Sequence, residues 1–181
     1  MNRPALLVQL ATFVLVSVCA ASSQEPTQTA DRWAPLRPFL GEWEGTSTGR
    51  PGNGTVRRHY RLVLRDQFIE VRNTSTYPPH DKSPKGEIHE DLGFFSFDRA
   101  RKRFVLRQFH GEGFVNHYTA DGGSTGKLVF TTESIENIPA GWRARETYVL
   151  NGPNELEELF ELAGPGKDFQ LYSQTTLKRL R

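Results

Sequence analysis

The chain has a single cysteine, Cys19, in 181 residues. One thiol cannot close a disulfide within the chain, and it cannot build a thiolate zinc site, so disulfide scaffolds and zinc fingers are excluded. The chain also lacks an excess of charge of either sign, with 23 basic against 21 acidic side chains. That balance sets up no field to draw in a polyanion, so no nucleic-acid partner is expected. The one basic cluster, Arg99, Arg101, Lys102 and Arg103, falls at a hairpin turn and reads as a solvated turn. No stretch repeats at the period of a propeller or solenoid. Long apolar runs are missing too. The only extended one, Ala5 to Val18, is interrupted by Gln9, Thr12 and Ser17 and ends too soon for a membrane span.

That run has a different meaning. Met1-Asn2-Arg3 supplies the early positive charge, the apolar run follows, and Cys19-Ala20-Ala21-Ser22-Ser23 supplies small residues. This is the three-part pattern of a secretory signal peptide. Residues 1–23 are read as that signal, cut between Ala20 and Ser23, and the mature protein is expected to be secreted or periplasmic. Lipid attachment at Cys19 is the alternative, although Val18 rather than a small residue precedes it. Residues 24–30 are polar and read as a disordered stub, and residues 31–181 as one domain.

Within that domain the pattern is strand after strand. Asp31 to Leu40 places Trp33, Leu36, Phe39 and Leu40 at helical spacing, but Pro35 and Pro38 limit it to a short helical plug. Ten runs with strand patterning follow: 42–48, 56–64, 68–77, 88–97, 103–110, 114–119, 127–134, 142–150, 155–162 and 169–180. The ninth is rich in glutamate and has helical propensity, yet its short turns and its place among strands favour a strand. A long meander must close or bury its edges. The fold class is therefore all-β: a ten-stranded antiparallel up-and-down β-barrel. The longest connection, Pro78 to Lys85, carries three prolines and is expected to form a rim or lid.

Polar chemistry concentrates on the 87–118 meander. His89, His110 and His117 lie there beside Glu87, Glu90 and Asp91. If the Gly111-Glu112-Gly113 turn sets His110 opposite Val115 and Gln108 opposite His117, the two histidines become diagonal neighbours roughly 7–8 Å apart. Asp91 falls near the level of His110, which predicts a cluster of His110, His117, Gln108 and Asp91. A metal site, general acid–base catalysis and plain satisfied polar residues on a barrel wall are all readings of such a cluster. No metal-ligand spacing, nucleophile or oxyanion hole marks either of the first two. A barrel lumen that holds a ligand mixes aromatics with a few polar anchors. His89, Glu90, Arg107, His110, His117, Tyr118 and Tyr172 are the expected ligand-binding residues, with Arg107 or His117 suited to a carboxylate head. Phe94, Phe97, Phe109, Phe114, Phe130, Tyr148 and Phe160 could supply the apolar part. Asn53-Gly54-Thr55 and Asn73-Thr74-Ser75 match the N-glycosylation pattern.

Two stretches carry a family resemblance. Phe39-Leu40-Gly41-Glu42-Trp43-Glu44-Gly45 resembles the opening "LLGxWxG" of the nitrobindin-like β-barrels, relatives of the fatty-acid-binding proteins and lipocalins in the calycin group. His89-Glu90-Asp91-Leu92-Gly93-Phe94 is similar to that family's "HRExGF" strand. The resemblance implies a ten-stranded antiparallel barrel and, as in nitrobindin, a haem held by a histidine on the last strand. This chain has no histidine after His117, and the comparable stretch reads Tyr172-Ser173-Gln174. A tyrosine can ligate ferric haem, so haem through a non-histidine ligand is the second functional expectation. The first is an exported, non-catalytic barrel that binds a small hydrophobic ligand. The third is a hydrolase or isomerase built on a lumenal His/Asp cluster.

Overall fold

The computed structural model describes residues 31–79, 81, 83–124 and 126–181. The expected signal peptide and stub, and His80 and Lys82 of the proline-rich connection, lie outside the described residues. Ten strands form one closed antiparallel barrel in sequential order, with the first strand pairing the last. They are β1 (Gly41–Gly49), β2 (Gly54–Val63), β3 (Phe68–Tyr77), β4 (Glu87–Asp98), β5 (Arg103–His110), β6 (Val115–Ser124), β7 (Lys127–Glu136), β8 (Arg143–Leu150), β9 (Glu155–Ala163) and β10 (Gln170–Arg179). Closure leaves no open sheet edge. No described helix is long and apolar enough to cross a membrane.

The expected helical plug is a run of turns that ends in one 3₁₀ turn, Arg37–Phe39. Two prolines three residues apart leave too few free N–H groups for an α-helical ladder. The plug nevertheless buries Trp33, Leu36 and Phe39 into the nearest barrel end. Three successive non-glycine residues in the β2–β3 connection, Leu64, Arg65 and Asp66, have φ between 52° and 59°. The left-handed region costs such residues roughly 1–2 kcal/mol each. The plug holds the turn in place: Trp33 Nε1 donates to the Asp66 carbonyl at 2.8 Å, and Arg32 Nη2 donates to Gln67 Oε1 at 3.1 Å.

Trp43 anchors this end. It is fully buried, its Nε1 donates to the Phe39 carbonyl at 2.7 Å, and the Arg179 guanidinium lies 4.2 Å over its ring. Arg179 also donates to the Leu40 and Pro38 carbonyls, which ties the last strand to the plug. Two positions further along β1, a Cβ on Gly45 would lie 1.9 Å from the Thr176 carbonyl oxygen. Only glycine lets β1 and β10 approach closely enough to close the barrel there.

Glutamates do not prevent β9 from forming. Leu156, Glu158 and Phe160 point into the barrel in alternation, while Glu157 and Glu161 face outward to Gln174 and Arg145. A strand period of two satisfies this pattern and a helical period does not. Trp43→Ala should destabilise the protein by about 3–5 kcal/mol in chemical denaturation, because it empties a filled aromatic site. A loss under about 1 kcal/mol would show that the plug end does not depend on this side chain.

Candidate functional site

Three strands carry a charged residue in phase with their inward apolar residues: Val56-x-Arg58-x-Tyr60 on β2, Ala144-x-Glu146-x-Tyr148 on β8 and Leu156-x-Glu158-x-Phe160 on β9. Strand alternation therefore sends Arg58, Glu146 and Glu158 into the lumen. All three are buried. Arg58 forms an ion pair with Glu158, and its Nε donates to Asn73 Oδ1 at 3.0 Å. Asn73 Nδ2 donates to Asp91 Oδ2 at 2.9 Å, and Gln108 Nε2 donates to Asp91 Oδ1 at 3.1 Å. On the other side Tyr118 and Tyr148 both donate to Glu146. Asn116 Nδ2 bonds Tyr118 Oη at 3.0 Å and meets His110 Nε2 at 3.1 Å. The result is a polar belt around the inside of the barrel. Below it, toward the plug, the lumen is filled by Trp43, Tyr60, Phe95, Phe130 and Leu156.

Above the belt lies the other rim. His89 Nδ1 meets Glu112 Oε1 at 2.5 Å, His89 Nε2 lies 3.4 Å from His110 Nδ1 and 3.7 Å from Asp91 Oδ2, and His110 stacks on Phe114 with centroids 4.0 Å apart. Tyr172 sits at a register shift of β10 between Leu171 and Ser173 and packs edge-on against Phe160 at 5.6 Å. A bulge at a barrel rim re-aims a side chain in this way. Burial, and then the neighbouring charges of Glu87 and Tyr77, raise the Tyr172 pKa.

The lumenal placement expected for several residues is corrected here. The Gly111-Glu112-Gly113 turn is one residue tighter than assumed. His110 N donates to the Phe114 carbonyl, and Gly113 takes φ +91° to close a three-residue loop. The observed pairs are Phe109 with Val115, Gln108 with Asn116 and Arg107 with His117. A one-residue slip exchanges the two faces. His117 therefore lies on the outer face, 2.5 Å from Glu136, and Arg107 lies beside it, so neither faces the lumen. Glu90 is outward and exposed because its neighbours His89 and Asp91 point in. Phe94 and the 48%-exposed Phe109 are outward by the same parity. The expected level of Asp91 with His110 is observed as a direct pair. Of the seven expected ligand-binding residues, His89, His110 and Tyr172 gather at the rim, and Tyr118 lies deep in the belt. Asn73 cannot accept a glycan, since it is buried against Arg58 and Asp91.

Two amide oxygens stand out. Gln108 must present its Nε2 to Asp91, which leaves Oε1 buried without a partner among the described residues. Asn116, opposite it across the ladder, likewise leaves Oδ1 buried and unpartnered. A buried acceptor without a donor costs about 1–3 kcal/mol. With Asp91 beside them, the belt's upper surface is short of donors. Two open grooves, about 460 and 600 Å³, lie instead over β1–β3 and their rim, and share Thr46, Thr55 and Thr76. Their polar lining, Glu44, Arg57 and the threonines of β1–β3, lies on the exposed outer face, whereas the buried unpartnered acceptors lie at the belt, so the rim above the belt is the candidate site.

The residues present do not fit the histidine-held haem that the family resemblance implies. β10 has no histidine, its Tyr172 is packed against Phe160, and Arg58, Glu158, Tyr118 and Glu146 fill the mid-lumen.

No family model and no curated protein matches this chain. Among solved structures, Rv2717c from M. tuberculosis matches with a TM-score of 0.66 at 19% identity, over 84% of this chain and 99% of that one. The likeness shows a shared barrel fold. A protein of the DUF3598 family from Nostoc punctiforme PCC 73102 aligns over 83% of this chain and 99% of that one at 10% identity, but its TM-score is only 0.29.

Burial, followed by the charge of Glu158, raises the Glu146 pKa from 4.5 to about 8. Between those values the native state keeps a proton that the unfolded chain has released, so this group's contribution to stability falls as pH rises through the window. Glu146→Gln should remove that slope. The variant should be more stable than the parent at pH 8 by roughly 1–3 kcal/mol, with the gap shrinking toward pH 5. Urea denaturation at both pH values checks this, and a pH-independent difference would contradict it.

Proposed function

We propose that this chain is an exported, non-catalytic barrel that binds a small, mostly apolar molecule at the rim opposite the plug, through a head group that donates hydrogen bonds. The carrying observation is the pair of buried, unpartnered acceptors Gln108 Oε1 and Asn116 Oδ1 beside the Asp91 carboxylate. A hydroxyl or amine head would satisfy them, and a carboxylate head would meet only acceptors. Phe114, Phe160 and Tyr172 offer the aromatic surface that an apolar body needs. The export part rests on the N-terminal pattern alone. N-terminal sequencing of protein from its native source should find a start between Ala21 and Gln24, and an intact Met1 would contradict export.

The ligand part can be read by competition. An environment-sensitive fluorescent amphiphile is bound to the purified protein and displaced with dodecanol, dodecylamine or dodecanoate. The alcohol or the amine should compete better than the acid. Gln108→Leu should weaken the better competitor by about 5- to 100-fold, the cost of losing one buried hydrogen bond, with the fold verified by circular dichroism. Equal competition by the acid, or unchanged affinity in Gln108→Leu, would remove the donor-head reading.

A further inference from the structure

Above the belt one group of side chains brings three potential metal-ligating residues together. His89 on β4, His110 at the end of β5 and Glu112 on the turn after it each offer a donor atom, and these atoms lie within 4.8 Å of one another. We propose that His89, His110 and Glu112 bind a divalent first-row transition metal ion of the zinc type at the rim of the barrel. This site goes beyond the ligand reading and does not depend on it.

The backbone fixes the group before any ion arrives. Asp91 pairs with His110 across the β4–β5 ladder, and Gly111 N donates to the Glu90 carbonyl at 2.8 Å. His89, two residues before Asp91, shares its inward face. His89 Nε2 and His110 Nδ1 are 3.4 Å apart. Two ligands on one tetrahedral zinc at its usual 2.0–2.1 Å bond length are separated by about 3.4 Å. The imidazoles therefore already stand at the spacing of a shared ion. Glu112 is half exposed between two glycines, so its carboxylate can turn from His89 Nδ1 to the ion with little resistance. Asp91 Oδ2, 3.7 Å from His89 Nε2, adds negative charge that favours a cation.

The surroundings supply the outer shell as well. A metal-bound imidazole donates its other N–H to a carbonyl or carboxylate. On His110 that nitrogen is Nε2, which faces the Asn116 amide at 3.1 Å. Turned over, the amide presents its Oδ1 to the Nε2 proton and gives up its bond to Tyr118 Oη, so in the metal-bound state Asn116 Oδ1 no longer serves an organic ligand. Gln108 Oε1 stays available for an organic ligand. Two imidazoles and a carboxylate, with no thiolate, suit zinc, nickel, copper or iron rather than calcium or magnesium. Three protein ligands also leave a position open toward the rim.

The test uses purified full-length protein freed of metal with a chelator and titrated with Zn²⁺ by calorimetry and with Co²⁺ by visible absorption. One equivalent should bind, with cobalt bands of a low-coordinate nitrogen–oxygen site. His89→Ala and His110→Ala should each abolish the bands. Glu112→Gln, a change on an exposed turn that leaves the core intact, should weaken Zn²⁺ by at least about 10-fold and abolish the zinc-induced rise in melting temperature. His117→Ala, on the outer face, should change nothing. Absence of binding, full affinity in Glu112→Gln, or an equal loss in His117→Ala would each overturn the site. No organic ligand enters the experiment, so its failure leaves the donor-head reading standing.

Discussion

The buried ion pair of Arg58 with Glu158 governs the inside of this barrel. The two residues come from β2 and β9, strands separated in the sheet by β1 and β10, and they meet in the lumen next to the seam where the barrel closes. Removing two charges from water costs several kcal/mol each, and attraction between them repays that only when the remaining donors and acceptors are also satisfied. Arg58 therefore requires Asn73 and Tyr60, Asn73 requires Asp91, and Asp91 requires Gln108. One lumenal charge pair thus fixes rotamers on five strands. Glu146 answers the same pressure differently. With no cation of its own it keeps its proton, and two tyrosine hydroxyls cover it.

This belt divides the barrel into unlike halves. On the plug side Trp43, Phe39, Tyr60, Phe95 and Phe130 pack as an ordinary core, and the plug seals them. On the other side Tyr77, Ala144, Phe160 and Leu162 supply a smaller apolar lining, and the belt's leftover acceptors lie beside His110. The chain places its stability at one end and its unsatisfied chemistry at the other. An upright barrel separates these tasks readily, since each strand runs from one end to the other and contributes to both.

Much of this was legible in the residues. Strand number and order followed from turn spacing, and the plug's prolines predicted its shortness. The level of Asp91 with His110 was readable from the short Asp98–Arg101 turn. What failed was face, and it failed at one hairpin. Pairing His110 with Val115 implies a four-residue loop, 111–114, and puts His117 inward in place of Asn116, whereas the observed loop is the three residues Gly111–Gly113. Nothing local distinguishes the two counts until Gly113 is seen to take a left-handed conformation. The belt was missed for another reason. Arg58, Glu146 and Glu158 carry charge, and charge is normally outside, so residue type alone does not single them out as lumenal. Their phase with Val56, Tyr60, Tyr148 and Leu156 was the available signal, and it outranks residue type, since the pleat allows no side chain to choose its face.

The same logic explains why the rim, rather than the belt, is where function is to be sought. Every ionisable member of the belt is held by a partner inside the barrel, so replacing one changes stability before it changes recognition. At the rim, His89 and Glu112 are partly exposed and share only one hydrogen bond, and Tyr172 rests on a bulge rather than in the ladder. These groups are positioned by the belt but are not needed to hold it together. Tyr118 illustrates the distinction. It points into the lumen as expected, yet its hydroxyl is committed to Glu146 and Asn116, so it orders the wall on which the rim residues stand.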